Sequence, residues 1–292
     1  MEIFENKELK WYDISDPSQT DMKFIKDNFN FHPLDLDDLL SKTQRPKIDI
    51  YDDYYFMILH FPFFEKNDPI LKIREIKIFW GKDYLITISN SKLLSEIIKR
   101  NQCMPKNSDL ILYNIIEQLL RHSFSILSSI GEKVESINDE LFDRKPVDTI
   151  ERISNIRRNI INLDTIFRPQ LRLFRMIESG TIKGFSDDME DYWGNTLDSY
   201  NKIWDIIEDS EEIIDGLSKT FDSLQTNRTN EIMKALTLIS SILLPLTLIA
   251  SIYGMNIPLP FQGEPHAYWG ISGGMIVIIS GFILYFKRKK WM

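Results

Sequence analysis

The chain has 292 residues, 43% hydrophobic and 27% charged, so it is long enough for one sizeable soluble domain plus further elements and too apolar to be disordered. Its four histidines and single Cys103 show no CxxC or HxxxH spacing, which argues against a disulfide framework or a structural zinc site and suits a reducing cytosol. The net charge is −8; from Glu231 onward five basic residues face two acidic ones, so residues 1–230 carry −11, a poor match for nucleic acid.

Residues 1–10 carry charges throughout and no apolar core, which predicts no cleavable signal peptide. Within 1–108, short β-type runs at 54–61, 72–80 and 83–89 mix with helix-like stretches around 21–29 and 93–100, the pattern of an α/β domain. From 109 the character changes: 110–142, 147–178 and 187 onward are long helical segments rich in Ile, Leu, Asp and Glu, with turns placed at Pro146 and at 180–184. The soluble part therefore divides into an α/β domain 1–108, a helical hairpin region 109–186, and a stalk helix that continues into a first membrane span, 187–256. On the stalk, Ile203, Ile206, Ile207, Ile213, Ile214, Leu217, Phe221 and Leu224 approximate helical spacing and are expected to pack on a neighbouring helix or on symmetry mates. Asp205, Glu208, Asp209, Glu211, Glu212, Asp215 and Asp222 form either a solvated face or a cation-concentrating funnel.

No charged side chain occurs between Lys234 and Glu264, and 235–256 is 22 residues, about 33 Å of helix, enough to cross a bilayer. A second uncharged run, 268–286, opens on Tyr268 and Trp269, which suit an interface. Lys287, Arg288, Lys289 and Lys290 begin a basic tail, 287–292, whereas the loop 257–267 holds no Lys or Arg, so both termini are expected in the cytoplasm and the loop outside. One hairpin cannot enclose a pore, so a conducting protein must be a closed homo-oligomer.

The first span has no ionisable side chain inside it, so any ion path there must use neutral oxygens. Ser240, Leu244, Thr247 and Ser251 share one helix face, which extends back to Leu236 and Met233 and forward toward Gly254 and Asn256. Small and hydroxyl residues also mediate helix packing, so the face serves either contact or conduction. Mg2+ prefers six oxygens and sheds water reluctantly; a ring of Asn carbonyls with nearby backbone carbonyls would recognise its hydrated form without binding it too tightly to release. Gly254 would let the backbone turn or approach an ion, and Pro245 should bend the helix or free a carbonyl.

Tyr253, Gly254, Met255 and Asn256 at the outer end of the first of two C-terminal spans resemble the signature of CorA-type magnesium transporters. The context agrees: Asn230 to Lys234 leads into the span, Pro245, Leu246 and Thr247 lie within it, and the basic tail ends in Trp291 and Met292. His32, Pro33 and Leu34 with Asp37 and Asp38, then Gln44, Arg45, Pro46 and Lys47, resemble the family's soluble domain. The resemblance implies a funnel-shaped homopentamer with a cytoplasmic α/β domain, long stalk helices that form the pore, and two C-terminal transmembrane helices, the second outside. It implies an outer ion-binding ring of Asn256 and Gly254, a pore lined by Thr247, Leu244, Leu236 and Met233, and a hydrophobic constriction at Leu236 and Met233. It also implies inhibitory cation sites between soluble domains at Asp37, Asp38 and Glu117, where high internal Mg2+ would hold the closed state.

Three positions depart from the family pattern. Asn195 stands where well-known members carry an Asp in the sensing site, Ser251 where some have Gly, and the loop keeps only Pro260 and Glu264 of a Met-Pro-Glu-Leu segment, which leaves Glu264 as a candidate cation attractor. The expected activity is gradient-driven Mg2+ influx across the cell membrane, with Co2+ as a second substrate. Competing readings are a CorA-like transporter of cobalt, nickel or zinc, and a non-conducting membrane-anchored coiled-coil scaffold. No phosphate-binding loop, activated nucleophile or catalytic metal spacing points to an enzyme.

Overall fold

The computed structural model describes residues 1–5, 9–40, 44–90, 105–141, 146–256 and 266–291. It divides into two compact units, 1–218 and 219–292. The expected helix-like stretch 93–100, Cys103, Pro260, Glu264 and Met292 lie outside the described residues.

In the first unit the strands are β1 (Glu2–Glu5), β2 (Lys10–Ser15), β3 (Lys47–Ile50), β4 (Tyr54–Phe64), β5 (Leu71–Gly81) and β6 (Tyr84–Ser89). They form one sheet in the order β1-β2-β6-β5-β4-β3, in which β2 and β6 pair in parallel and every other neighbour is antiparallel. The runs anticipated at 54–61, 72–80 and 83–89 correspond to β4, β5 and β6. β4 is an almost unbroken apolar run because both faces of the sheet are covered. Phe56 and Ile58 turn toward a cluster with Phe31, Phe79 and Ile86, while Met57 and Leu59, equally buried, belong to the opposite parity.

The first face carries α1 (Gln19–Asn28) and α2 (Pro33–Leu40). Ser18 caps α1: its hydroxyl accepts from the Asp21 amide while the Asp21 carboxylate accepts from the Ser18 amide. Pro33 opens α2, where its fixed φ suits a first helical residue. The other face carries α3 (Ser108–Glu140) and α4 (Pro146–Glu178), whose amide side chains clamp the strands. The Gln170 amide accepts from the His60 N–H at 3.1 Å and donates to the His60 carbonyl at 2.9 Å, and Asn159 accepts from the Leu71 N–H at 2.7 Å. Each satisfies buried backbone groups that water cannot reach.

The break expected at 180–184 is built on Gly180 (φ 72°) and Gly184 (φ 68°), and a Cβ on Gly184 would stand 3.0 Å from the Trp80 ring. The chain then enters α5 (Glu190–Tyr253), 64 residues without interruption, as the missing stop signals implied. Its soluble half packs on α4, with Tyr200 stacked on Phe174 at 4.4 Å and the Arg168 guanidinium 4.8 Å over Trp204. The stalk stripe separates into two sets. Ile203, Ile207, Ile214 and Leu217 are buried, whereas Ile206 and Ile213 are 37% and 52% exposed, because they stand at the edge of the packed face. Of the stalk acids, Asp205, Glu208, Asp209, Glu211, Glu212 and Asp222 are exposed, and Asp215 pairs with Arg157.

Asp13 is 1% exposed on β2; it accepts from Thr87 Oγ1 at 2.7 Å while its second oxygen has no partner. Burial pushes its carboxyl up despite that bond. The folded state therefore keeps a proton that the unfolded chain has released, so the associated stability is present below the ordinary carboxylate range and is lost as pH rises through the folded value. Asp13→Asn is expected to flatten the decline in urea midpoint of the soluble domain as pH rises above the ordinary carboxylate value of about 4. A variant that declines as steeply as the parent would contradict this.

The second unit holds the remainder of α5 and α6 (Ala267–Arg288). The apolar stretches of both helices are almost wholly exposed, unlike the core helices of a soluble protein. Apolar surface this extensive requires a bilayer or neighbouring copies.

Candidate functional site

On α5, Lys234, Leu238, Ser241, Ile242, Pro245, Leu246 and Ile249 are half-buried, and they cluster on one side of the helix. On α6, Ile271, Ser272, Met275, Ile278, Ile279 and Phe282 are half-buried at matching intervals and Phe286 is buried. Among the described residues no other element belongs to this unit, which makes these stripes the facing sides of its two helices. Met233, Leu236, Ser240, Leu244, Thr247 and Ser251 are all exposed, with Leu244 at 69%. At 100° per residue this face points about 160° away from the stripe that meets α6. α5 thus presents a lengthwise uncharged face that the chain itself does not cover.

Local chemistry suits that face to water. The Thr247 hydroxyl donates to the Leu243 carbonyl at 2.9 Å, which commits its hydrogen to the helix and leaves its oxygen lone pairs as acceptors. Pro245 has no N–H to give Ser241, and α5 continues through it, so the Ser241 carbonyl loses its intrahelical donor. At the end of the span the Gly254 N–H donates to the Ala250 carbonyl at 2.9 Å and the Met255 N–H to the Ile252 carbonyl at 3.2 Å, a tightened last turn. Gly254 does not need a left-handed backbone; a Cβ would instead meet the Ala250 oxygen at 3.1 Å. Tyr253, Met255 and Asn256 are exposed around it.

The candidate regulatory residues are spread over three helices. Asp37 is exposed on α2, and Asp38 beside it is ion-paired with Lys47 Nζ at 2.7 Å. Burial works against the Lys47 ammonium, yet its bonds to Asp38 and Asp49 hold its proton more tightly than usual. Asp38 thus already has a cationic partner within the chain, shared with Asp49, which its sequence position does not reveal. Glu117 on α3 is half-buried with one oxygen unpartnered; burial pushes its carboxyl up and the nearby Arg121 partly offsets this. One turn earlier, Tyr113 accepts from the Asn195 amide at 2.9 Å, which places Asn195 of α5 near Glu117. Among the described residues no three His, Cys, Asp or Glu side chains gather into a metal-holding group within one chain.

Sequence reasoning missed what holds α2 in place. Asp35, 1% exposed, accepts from Tyr54 at 2.8 Å and Tyr51 at 3.1 Å, and burial pushes its carboxyl up. Lys77 Nζ reaches the Asp38 carbonyl at 2.7 Å and pairs with Glu75 at 3.0 Å, a cation at the C-terminal end of the helix. The available signal was a lysine, Lys77, set between Ile76 and Ile78 in the apolar half of β5. Asp35, in contrast, looks like its neighbours Asp37 and Asp38 in sequence.

A family model described as CorA-like Mg2+ transporter protein matches residues 6–288. The chain is 28% identical over 295 residues to the cobalt/magnesium transport protein CorA of Thermotoga maritima, across 97% of this chain and 83% of that one. A more distant relative, the zinc transport protein ZntB of Pectobacterium carotovorum, is 21% identical over 259 residues, across 87% and 79%. The complete structure of the CorA magnesium transporter from Methanocaldococcus jannaschii superposes with a TM-score of 0.86 at 22% identity, across 99% of this chain and 93% of that one. That likeness speaks for the fold: an α/β domain, a long helix and a C-terminal apolar hairpin.

Proposed function

Because the chain belongs to the CorA-like Mg2+ transporter family, a family of membrane transporters rather than enzymes, we propose that it is one subunit of a homopentameric channel for gradient-driven Mg2+ influx across the cell membrane. The observation that carries the proposal is the uncovered, uncharged face of α5 from Met233 to Asn256. Around a shared axis, Asn256 and the tight turn at Gly254 form the outer ring that recognises hydrated Mg2+. Thr247, Ser240 and Ser251 pass its water shell along by hydrogen bonds, and Leu244, Leu236 and Met233 narrow the path, with Leu236 and Met233 as a constriction that closes by excluding water. Co2+, of similar charge and hydration, is the second substrate. Both termini lie in the cytoplasm, lipid surrounds α6, and the loop carrying Glu264 faces outward.

Zinc and nickel transport is the weaker reading, because neither span offers His, Cys or carboxylate to strip such ions of water. Competition of Mg2+ uptake by Co2+, Ni2+ and Zn2+ in reconstituted vesicles tests the assignment. Inhibition by Co2+ that tracks hydrated size supports it, and Zn2+ uptake in preference to Mg2+ overturns it.

Regulation is proposed to act between neighbouring soluble domains through Asp37, Asp38, Glu117 and Asn195. Asp38 already holds Lys47, so Mg2+ must compete with an ammonium there and Asp37 contributes the freer charge. Asp37→Ala combined with Asp38→Ala is expected to abolish Mg2+-dependent protection of the soluble domain from protease. Protection that persists in the double variant removes these residues from the sensing site.

A further inference from the structure

The C-terminal end of α6 closes in a hook. The Lys290 N–H donates to the Lys287 carbonyl at 3.2 Å, the Trp291 N–H to the Phe286 carbonyl at 3.0 Å, and Lys290 sits at φ 55°. This is the hydrogen-bond pattern of a Schellman turn, built on a lysine at a left-handed position that favours glycine. The turn folds Trp291 back so that its indole stacks on Phe286 at 6.0 Å and an interplanar angle of 9°. Phe286 is 5% exposed and is the one buried side chain among the described residues of α6.

The hook has an electrostatic consequence. An extended tail would carry its cations away from the helix end, whereas here Lys287, Arg288, Lys289 and Lys290 are all exposed within a single turn. None of the four forms an ion pair among the described residues, and residues 219–291 contain only two described acids, Asp222 and Glu231. The cations follow directly on the apolar surface of Ile276, Val277, Ile283 and Leu284, which are 40–71% exposed. A ligand for them must therefore carry negative charge at the depth where the apolar surface stops, and must accept an indole beside it. Phospholipid phosphates meet both conditions, because Trp favours that interfacial depth.

We propose that the hook formed by residues 286–291 is a binding site for anionic phospholipid headgroups, with the four cations contacting lipid phosphates and Trp291 anchoring the turn at the interface. The site would tie the end of the outer helix to the leaflet. It rests on the reading of α6 as a membrane span.

The test uses the full chain in vesicles of brominated phosphatidylglycerol or brominated phosphatidylcholine, in a Trp269→Phe background. The signal of Trp291 is the fluorescence that a further Trp291→Phe substitution removes. The anionic lipid is expected to quench it with an apparent affinity on the order of 10-fold higher than the zwitterionic lipid. Gln at positions 287–290 should equalise the two, and Lys290→Gly, which keeps the turn, should retain most of the preference. Equal quenching by both lipids in the parent overturns the proposal and leaves α6 as a span. Quenching by neither overturns the proposal and the span's placement together. Loss of the preference on adding millimolar inorganic phosphate would assign the site to free phosphate and overturn the lipid assignment.

Discussion

Replacing Asn256 by Ala is expected to lower Mg2+ flux through reconstituted vesicles by about 100-fold or more, since a lost acceptor of roughly 0.5–1.5 kcal/mol net in every subunit accumulates around a ring. The span contains no carboxylate that could take over. Asn256→Asp should act differently: a ring of carboxylates would hold Mg2+ more tightly and slow its release, which lowers both maximal flux and the half-saturating concentration. Gly254→Ala should produce a smaller loss, because the new Cβ 3.1 Å from the Ala250 oxygen forces the last turn to give by a few tenths of an ångström. Flux in Asn256→Ala equal to that of the parent would falsify the role given to this ring.

The second large effect concerns stability. Trp80 is 0% exposed and bonds through Nε1 to Asp109 at 2.7 Å. Its ring contacts Tyr55, Phe185 and Trp193 at 4.8, 5.7 and 5.9 Å, so it joins β5 to the 180–184 turn and the start of α5. Trp80→Ala is expected to cost about 3–5 kcal/mol from the cavity alone, a large share of the roughly 5–15 kcal/mol that holds a typical domain folded. The substitution also takes a donor from Asp109, whose carboxyl burial already pushes up. Trp80→Phe should cost less, since it restores most of the ring volume but not the N–H. The measurement is denaturant unfolding followed by near-ultraviolet circular dichroism. A loss below about 1 kcal/mol would show that the site collapses around the gap.

Legibility in the sequence followed the range of the forces involved. β4 could be read because a strand buried on both faces must be apolar throughout, β5 as a β-type run in spite of Lys72, Arg74, Glu75 and Lys77, and α5 because nothing between Glu190 and Tyr253 stops a helix. The spans could be read from length and the lack of charge. β1, β2, β3 and α2 were not anticipated: they are short, and β2 is set by a parallel partner, β6, more than 70 residues away. The conduction face was visible as a stripe of Ser240, Leu244, Thr247 and Ser251, but only structure reveals that α6 lies on the opposite side of the helix and leaves it open. The regulatory acids were the least legible. Asp35, Asp37 and Asp38 share a residue type within four positions, yet one is buried between tyrosines, one is exposed and one is ion-paired with Lys47.

The stalk stripe carries the same lesson. Isoleucines at helical spacing were grouped as one packing face, but Ile206 and Ile213 stand outside the part that α4 and the sheet domain can cover. Periodicity places a residue on a helix face to within about one position in the turn. Whether that position lies inside or at the rim of a contact depends on the partner's width, which the helix's own sequence does not encode.

The central claim is that this chain conducts Mg2+ without coupling to ATP. Purified full-length protein in vesicles loaded with a Mg2+-sensitive dye tests it, with external Mg2+ and an inside-negative potential as the only driving forces. At 100 mV that potential favours entry of a divalent ion by about 4.6 kcal/mol. The predicted result is uptake that begins when the potential is imposed, grows with it, and stops when it is collapsed. Uptake no faster than in protein-free vesicles, from correctly folded protein at the same potential, would contradict conduction and leave a membrane-anchored helical scaffold.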